Sequence, residues 1–426
     1  MMKGVVLAAG KGERLRPLTD TRPKHMIPIG GRPLLEWIIQ GLKEAGVKEI
    51  LIVTHYMEDL IKEYFRDGSA LGIEIKYAKQ DRMLGTADAF RVAEGFVGDE
   101  EFIGLYGDLF ISSSVFRTLL QSHKKGETSI CVIPVKDPSQ FGIIELEGDR
   151  VVGIIEKPPP GEEPSNLGNT GVYIFTPEIF DKIRETGVSL RNEYEVTDSL
   201  KVHIESGSKV RAVPVDPNDW LDIGLPWSIL KANARALEER EPKIMGCVEE
   251  GATISGPVTV AEGARVRTGS YIEGPVYIGP GSDIGPNCYL RPATSIGAGV
   301  RVGNACELKN SLIMEGTHIA HLSYIGDSVI GSGCNFGAGT ITANIRFDKK
   351  SVKVKVKGIP IDSGQRKLGA IVGDDAQTGV NVSLLPGIKV GVQAWIAPGL
   401  TVYEDIPPRT FLTDRGARLR RDIESP

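Results

Sequence analysis

An apolar run from Val5 to Ala9 opens into Gly10-Lys11-Gly12-Glu13-Arg14-Leu15-Arg16-Pro17-Leu18-Thr19. Glycines let backbone N–H groups approach an anion closely, and Arg and Lys balance its charge, so a strand feeding such a loop suits a phosphate. The loop carries neither GxxxxGK[ST] nor GxGxxG. On spacing alone a phosphate cradle and a plain structural turn stand level. A second candidate is Asp108, which closes the apolar stretch Ile103-Gly104-Leu105-Tyr106-Gly107. A carboxylate there can simply cap the next helix. Beside a polyphosphate it can also ligate Mg²⁺, which takes a few carboxylates together with phosphate oxygens.

These residues need a frame. Leu34, Leu35, Ile38, Ile39 and Leu42 recur at helical spacing before Gly46, which predicts a helix over 33–45. Strands are expected at 50–54 and 73–78, with a helix at 57–65 between them. Alternating strands and helices predict an α/β fold with a mostly parallel sheet. Ligands in such sheets sit at the carboxyl ends of the strands, where the Gly-rich loop begins.

The second half keeps a different period. Every sixth residue is aliphatic through Val248, Ile254, Val260, Val266, Ile272, Ile278, Ile284, Leu290, Ile296, Val302, Leu308 and Met314. Val372, Thr378, Leu384, Val390, Ile396 and Val402 resume the step with one lapse. A six-residue period fits neither an amphipathic helix nor an alternating strand, and predicts a parallel β-helix of hexapeptide repeats. The interval from Met314 to Val372 is not a multiple of six. Within it, Val352, Val354 and Val356 alternate with Lys353, Lys355 and Lys357, which predicts an excursion with one basic face.

The 426 residues exceed what one core usually organises, so two domains are expected. We place boundaries at 1–226, a linker helix 227–246, the coils 247–412 and a basic tail 413–426. The net charge of −5 argues against nucleic acid as a partner. No apolar run is long enough for a membrane span, and the short N-terminal one reads as a buried first strand. The five cysteines show no CxxC spacing, so neither a disulfide frame nor a zinc site is expected. A cytoplasmic protein fits this.

The pattern Leu7-Ala8-Ala9-Gly10-x-Gly12-x-Arg14-Leu15-x-Pro17-Leu18-Thr19, followed by Arg22-Pro23-Lys24, resembles the signature of sugar-1-phosphate nucleotidylyltransferases. The resemblance covers the first half of the chain and implies a Rossmann-like nucleotidyltransferase domain. It implies nucleotide contacts at Leu7, Ala8, Ala9, Gly10, Gln80, Gly85 and Thr86. It gives catalytic roles to Arg14 on the leaving pyrophosphate and to Lys24 at the α-phosphate. Trp220-Leu221-Asp222-Ile223-Gly224 resembles the segment bearing the second metal ligand, so Asp108 and Asp222 are expected to share Mg²⁺. Matches at Phe141-Gly142, Glu156-Lys157-Pro158, Asn169-Thr170-Gly171 and Glu195-Val196-Thr197-Asp198 imply that Gly142, Glu156, Lys157, Asn169 and Glu195 hold the sugar phosphate.

In the second half, His321-Leu322-Ser323-Tyr324-Ile325-Gly326-Asp327 and the stretch from Asn335 to Asn344 resemble the acetyltransferase half of the bifunctional enzymes that make UDP-N-acetylglucosamine, their archaeal-type members in particular. The resemblance implies His321 as general base. It implies Arg291, Lys309, Tyr324, Asn335, Asn344, Lys350 and Lys353 around an amino-sugar phosphate, and Ala397 at acetyl-CoA. It further implies left-handed coils and a homotrimer. A near-neutral imidazole suits removal of the proton from an attacking amine, and Arg and Lys suit a phosphate dianion. The bacterial enzymes have a shorter segment where this chain has residues 345–368, a departure that bears on the lysines and on sugar choice. The expected substrates are UTP or dTTP, an amino-sugar 1-phosphate and acetyl-CoA. The rival reading is a single-activity glucose-1-phosphate uridylyl- or thymidylyltransferase whose coils serve assembly, and behind it a non-catalytic scaffold.

Overall fold

The computed structural model describes residues 2–189 and 191–419. The chain forms two compact units, Met1–Lys11 with Leu34–Asp222, and Gly12–Pro33 with Ile223–Pro426.

The first unit is built on a nine-stranded sheet. Its order is Glu74–Lys79, Glu49–Thr54, Lys3–Ala8, Phe102–Tyr106, Leu167–Phe175, Thr128–Pro134, Val210–Pro214, Arg150–Glu156 and Gly142–Glu147. The first four strands run parallel. The chain moves outward from Lys3–Ala8 on one side and returns beside it on the other through Phe102–Tyr106. That reversal opens a crevice at the carboxyl ends of these two strands, the usual ligand position of an open α/β sheet. The mostly parallel character expected of the sheet holds here and for Val210–Pro214 beside Thr128–Pro134. Elsewhere the neighbours are antiparallel. Gly148-Asp149 joins Gly142–Glu147 directly to Arg150–Glu156, and a tight turn can only produce antiparallel neighbours. The expected helix over 33–45 is Leu34–Glu44, with Leu34, Leu35, Ile38, Ile39 and Leu42 wholly buried.

The second unit stacks short parallel strands into three sheets, the arrangement of a β-helix. Coils step by eighteen residues from Cys247 to Arg265, Asp283 and Arg301, then by seventeen to His318 and Asn335. Val266, Ile272, Ile278, Ile284, Leu290, Ile296, Val302 and Leu308 all lie at 0% exposure, so the sixth-residue aliphatics do form the core. The last rung differs. Ile296 stands over Ile313, not over Met314, because the shorter coil has already shifted the register by one. Between Asn335 and Gln377 the chain leaves the coil, although the two strands still pair directly. The excursion is a hairpin of Lys353–Val356 against Ile359–Asp362. Val352, Val354 and Val356 are buried and Lys353, Lys355 and Lys357 exposed, as the alternation predicts.

The helix expected near 227 is Pro226–Glu238, and Asn233 on it donates from Nδ2 to Ala293 O at 3.0 Å on the coils. The segment expected as a tail begins inside a strand, because Thr410–Thr413 pairs antiparallel with Gly416–Leu419. Residues 420–426 of that tail lie outside the described residues. Cys131, Cys288, Cys306 and Cys334 are buried free thiols and Cys247 an exposed one. Burial pushes Cys288 up to about 12, so it packs as a small apolar residue. No helix among the described residues is long and apolar enough to cross a membrane.

Candidate active sites

At the crevice of the first unit, Leu7 pairs with Tyr106 and its carbonyl accepts from Gly107 N at 2.8 Å. The chain from Leu7 to Gly10 therefore runs beside Gly107 and Asp108. Leu7, Ala8 and Ala9 are buried, so what they offer a ligand is mainly backbone. Asp108 precedes the strand Leu109–Ile111, which pairs antiparallel with Trp220–Asp222, and Asp222 is in register with Leu109. Two carboxylates more than a hundred residues apart in the chain thus become neighbours. Trp220 fixes the second strand by donating its indole N–H to Thr170 O at 2.9 Å. Among the described residues no group of three or more His, Cys, Asp or Glu could hold a metal. A carboxylate pair without a closed cage suits Mg²⁺ completed by phosphate oxygens.

Gln80 is buried and donates to Gly85 O at 3.1 Å and to Asp88 Oδ2 at 2.9 Å. Gly85 has φ +119°, and an added Cβ would come within 2.3 Å of Tyr194 O. Thr86 Oγ1 accepts from Val196 N at 2.9 Å. These three residues form one interlocked turn. Asp88, which grips it, was not legible as a site residue, since an Asp near the start of a helix looks like ordinary charge placement.

Gly142 is in register with Glu156, and its added Cβ would lie 3.0 Å from Glu156 Oε2 and 3.7 Å from Asn169 Cβ. Asn169 donates to Tyr173 Oη at 2.6 Å and accepts from Gly171 N at 3.0 Å, which shapes a bulge in the strand. Arg191 joins the remaining members. Its Nε donates to Glu195 Oε1 at 2.7 Å and its Nη2 to Glu156 Oε1 at 3.2 Å, while Lys157 Nζ lies 3.7 Å from the same Glu156 oxygen. Gly142, Glu156, Lys157, Asn169 and Glu195 are thus brought to one place. Arg191 was missed, although an Arg four residues before Glu195 is a readable pairing. Burial raises the Glu156 carboxyl above the usual glutamate value, against Lys157, with Glu195 adding to the rise. Burial also pushes Glu195 up, but hydrogen bonds from Arg191 and Ser189 outweigh it and leave Glu195 lowered.

The second unit carries Arg14 and Lys24. Gly12 has φ +65°, and an added Cβ would meet Lys24 Cβ at 3.0 Å. Only glycine lets the Lys24 side chain lie against the loop that bears Arg14. Further along the unit, Lys309 Nζ lies 3.3 Å from Asp327 Oδ2, Asn310 donates to Asp327 Oδ1 at 2.7 Å, and Asn344 donates to Asp327 Oδ2 at 2.5 Å. Asn344 also donates to Tyr324 Oη at 3.0 Å. Lys309, Tyr324 and Asn344 are therefore one network around a buried carboxylate that the residue reading passed over. Arg291 follows Leu290, which stacks on Leu308, and so stands over Lys309 in the previous coil, held by Glu307 at 2.9 Å.

His321 is exposed at the end of the strand His318–His321, in register with Asn304, on the sheet next to that of Tyr324. Asn335 stands in register with His318. Lys350 and Lys353 are exposed on the excursion, and Ala397 donates its N–H to Leu412 O at 2.9 Å in the last coils.

A family model described as nucleotidyl transferase matches residues 3–239, and one described as the GMPPB C-terminal domain matches residues 272–382. The chain is 46% identical over 412 residues to the bifunctional protein GlmU of Methanococcus maripaludis strain C7, covering 96% of this chain and 97% of that one. The chain belongs to the GlmU family. It is 42% identical over 407 residues to a bifunctional sugar-1-phosphate nucleotidylyltransferase/acetyltransferase of Sulfurisphaera tokodaii, covering 95% and 98% of the two chains. A solved structure described as a glucose-1-phosphate thymidylyltransferase from Bacillus anthracis superposes with TM-score 0.52 at 29% identity, over 57% of this chain and 98% of that one. The GlmU relatives span both units, whereas the thymidylyltransferase covers little more than half the chain. The protein is accordingly an enzyme with two activities, nucleotidyl transfer and acetyl transfer.

Proposed function

We propose that the coils acetylate glucosamine 1-phosphate from acetyl-CoA and that the N-terminal half of the chain then joins the product to UTP, giving UDP-N-acetylglucosamine and pyrophosphate. The observation that carries this is the network at the interruption of the coils, where Lys309 and Asn344 meet on Asp327 and Asn344 also donates to the Tyr324 hydroxyl. A ladder built only for assembly has no need of an ammonium and an amide locked to a buried carboxylate, with a phenol held by that amide. Arg291, Lys309, Lys350 and Lys353 supply positive charge for a phosphate dianion, with Tyr324, Asn335 and Asn344 as hydrogen-bonding partners. His321 takes the proton from the amine as its nitrogen attacks the acetyl carbon. The N–C bond forms, the C–S bond breaks, and the thiolate of CoA leaves. Ala397 lies at acetyl-CoA.

In nucleotidyl transfer, an oxygen of the sugar 1-phosphate attacks the α-phosphorus of UTP and pyrophosphate leaves. The attacking oxygen is already anionic, so no general base is needed, and catalysis is alignment and charge neutralisation. The backbone from Leu7 to Gly10 holds the nucleotide, and the turn of Gln80, Gly85 and Thr86 reads the base. Gly142, Glu156, Lys157, Asn169 and Glu195 hold the sugar. Arg14 holds the departing pyrophosphate, and Lys24 meets the charge that grows at the α-phosphate. Asp108 and Asp222 would hold Mg²⁺, which when bound supplies positive charge shared among the phosphate oxygens.

Left-handed coils, a cytoplasmic homotrimer and acetyl sites completed between subunits complete the reading. Exposed apolar side chains, Leu322 on the coils at 63% and Phe347 on the excursion at 108%, support the trimer. The test is a panel of glucosamine, galactosamine and glucose 1-phosphates with UTP and dTTP, scoring free CoA and pyrophosphate separately. Release of CoA with glucosamine 1-phosphate is expected. Failure to release CoA with any amino-sugar phosphate would overturn the assignment.

A further inference from the structure

Arg22 and Thr21 belong to the loop that bears Arg14 and Lys24, yet neither has a part in the chemistry above. The loop residues 12–33 pack with the coils in one compact unit. Arg22 Nη2 donates to Asp374 Oδ2 at 2.5 Å and to Ser332 Oγ at 2.8 Å. Thr21 Oγ1 donates to the same Asp374 oxygen at 2.7 Å, and Asp374 Oδ1 accepts from Ser332 N at 2.9 Å. Both charged side chains are largely withdrawn from solvent, Arg22 at 12% and Asp374 at 10% exposure. Beside them, Gly373 makes room for Pro17, since an added Cβ would sit 3.0 Å from Pro17 Cβ. A second pair joins the same loop to the tip of the excursion hairpin, Lys357 Nζ to Glu13 Oε2 at 2.7 Å.

The two pairs are not equal. Lys357 and Glu13 are 58% and 44% exposed, and such a pair contributes little. The Arg22–Asp374 pair is desolvated; removing Arg22 takes away the ion-pair partner of the withdrawn Asp374 carboxylate, and removing Asp374 leaves Arg22 with the more distant Glu315 carboxylate at 3.7 Å. Its effect need not stop at Arg22. Pro23 holds its own φ at −61° and restricts the backbone of Arg22 before it, and Lys24–Met26 is a tight helical turn. Lys24 Cβ in turn rests against Gly12, two residues before Arg14. A shift at Arg22 therefore reaches both cations through short, stiff links.

We propose that Arg22 and Asp374 are positioning residues for nucleotidyl transfer, so that a carboxylate on the coils sets where Lys24 and Arg14 stand. The inference rests on the roles given above to Lys24 and Arg14. It assigns the coils a part in the reaction of the other half, distinct from their own acetyl chemistry.

The test measures pyrophosphate release from UTP and N-acetylglucosamine 1-phosphate, and CoA release, on the full-length protein. Arg22→Ala and Asp374→Ala are each expected to lower kcat for pyrophosphate release on the order of ten- to a hundredfold, with KM for UTP moving less. The double variant should fall well short of the product of the two single effects, because both single variants lose the shared Arg22–Asp374 pair, while Arg22 keeps its own partners Ser332 and Glu315 and Asp374 its own partners Thr21 and Ser332 N. Arg22→Lys should fall between, keeping the charge but not the planar fork. CoA release should stay within about twofold in all of them, which shows that the coils are still folded. Lys24→Ala runs alongside. If it loses activity while the Arg22 and Asp374 variants stay near wild type, positioning is refuted and the role of Lys24 stands. If the two single effects multiply, or both activities fall together with the melting temperature, the pair is only a structural anchor. If Lys24→Ala itself keeps full kcat, the role of Lys24 fails and the positioning inference goes with it.

Discussion

At the scale of single residues, Glu156 gives a pH signature. Burial raises its carboxyl above the ordinary value of 4.5, and the nearby Glu195 charge adds to that against Lys157 and Arg191. An ionised carboxylate accepts sugar hydroxyls on both oxygens and about twice as strongly as the neutral acid. Its contribution is therefore complete at neutral pH and fades as pH falls toward the raised value, earlier than for an exposed glutamate. KM for the sugar 1-phosphate should rise over that window, and Glu156→Gln should flatten the profile. A wild-type KM that stays flat down to pH 4.5 would place Glu156 away from the sugar. The folding term has the opposite sense, because the folded state binds this proton more tightly than the unfolded chain, so the term favours folding at low pH and is lost as pH rises. In the second unit, Asp327→Ala strands Lys309 and two amides. It should destabilise the coils by about 2–4 kcal/mol and abolish acetyl transfer while pyrophosphate release persists. Equilibrium unfolding with both assays checks it. Asp327 and Asp88 escaped the sequence reading for a common reason: a charge that grips another site residue looks, in one dimension, like any surface charge.

At the scale of elements, the turn at Gly85 is the sharpest case. Its φ of +119° and the Tyr194 carbonyl at 2.3 Å from an added Cβ leave no room for a side chain. Gly85→Ala should cost about 1–3 kcal/mol in backbone strain, more if the Tyr194 segment moves, and should weaken UTP binding with acetyl transfer retained. A melting curve and a UTP titration decide it. The hexads were legible because a period of six has no competitor among regular elements. The slip itself was legible in an interval that is not a multiple of six, but its place before Met314 was not, since Leu312, Ile313 and Met314 are all apolar and any of them could fill the rung. The hairpin of Lys353–Val356 was legible from its alternation. The antiparallel part of the large sheet was not, because direction is set by which turns close between strands, and residues 128–175 show no helical period to mark a crossover.

At the scale of the whole molecule, two domains were legible from the change of period near Val248 and the second activity from the resemblance around His321 and Asn335, and the relatives of similar length bear out a bifunctional enzyme. What no local pattern announces is that residues 12–33, read as part of the first half, pack with the coils. Their partners at Ser332 and Asp374 are some three hundred residues away, and only the folded chain brings them together. The central claim is that one chain carries two separable chemistries. The most direct measurement is paired release of CoA and pyrophosphate by wild type, His321→Ala and Asp108→Asn. His321→Ala should lose CoA release on the order of a hundredfold or more with pyrophosphate release intact, and Asp108→Asn should do the reverse. Loss of both products in either variant, or of neither, would contradict the account.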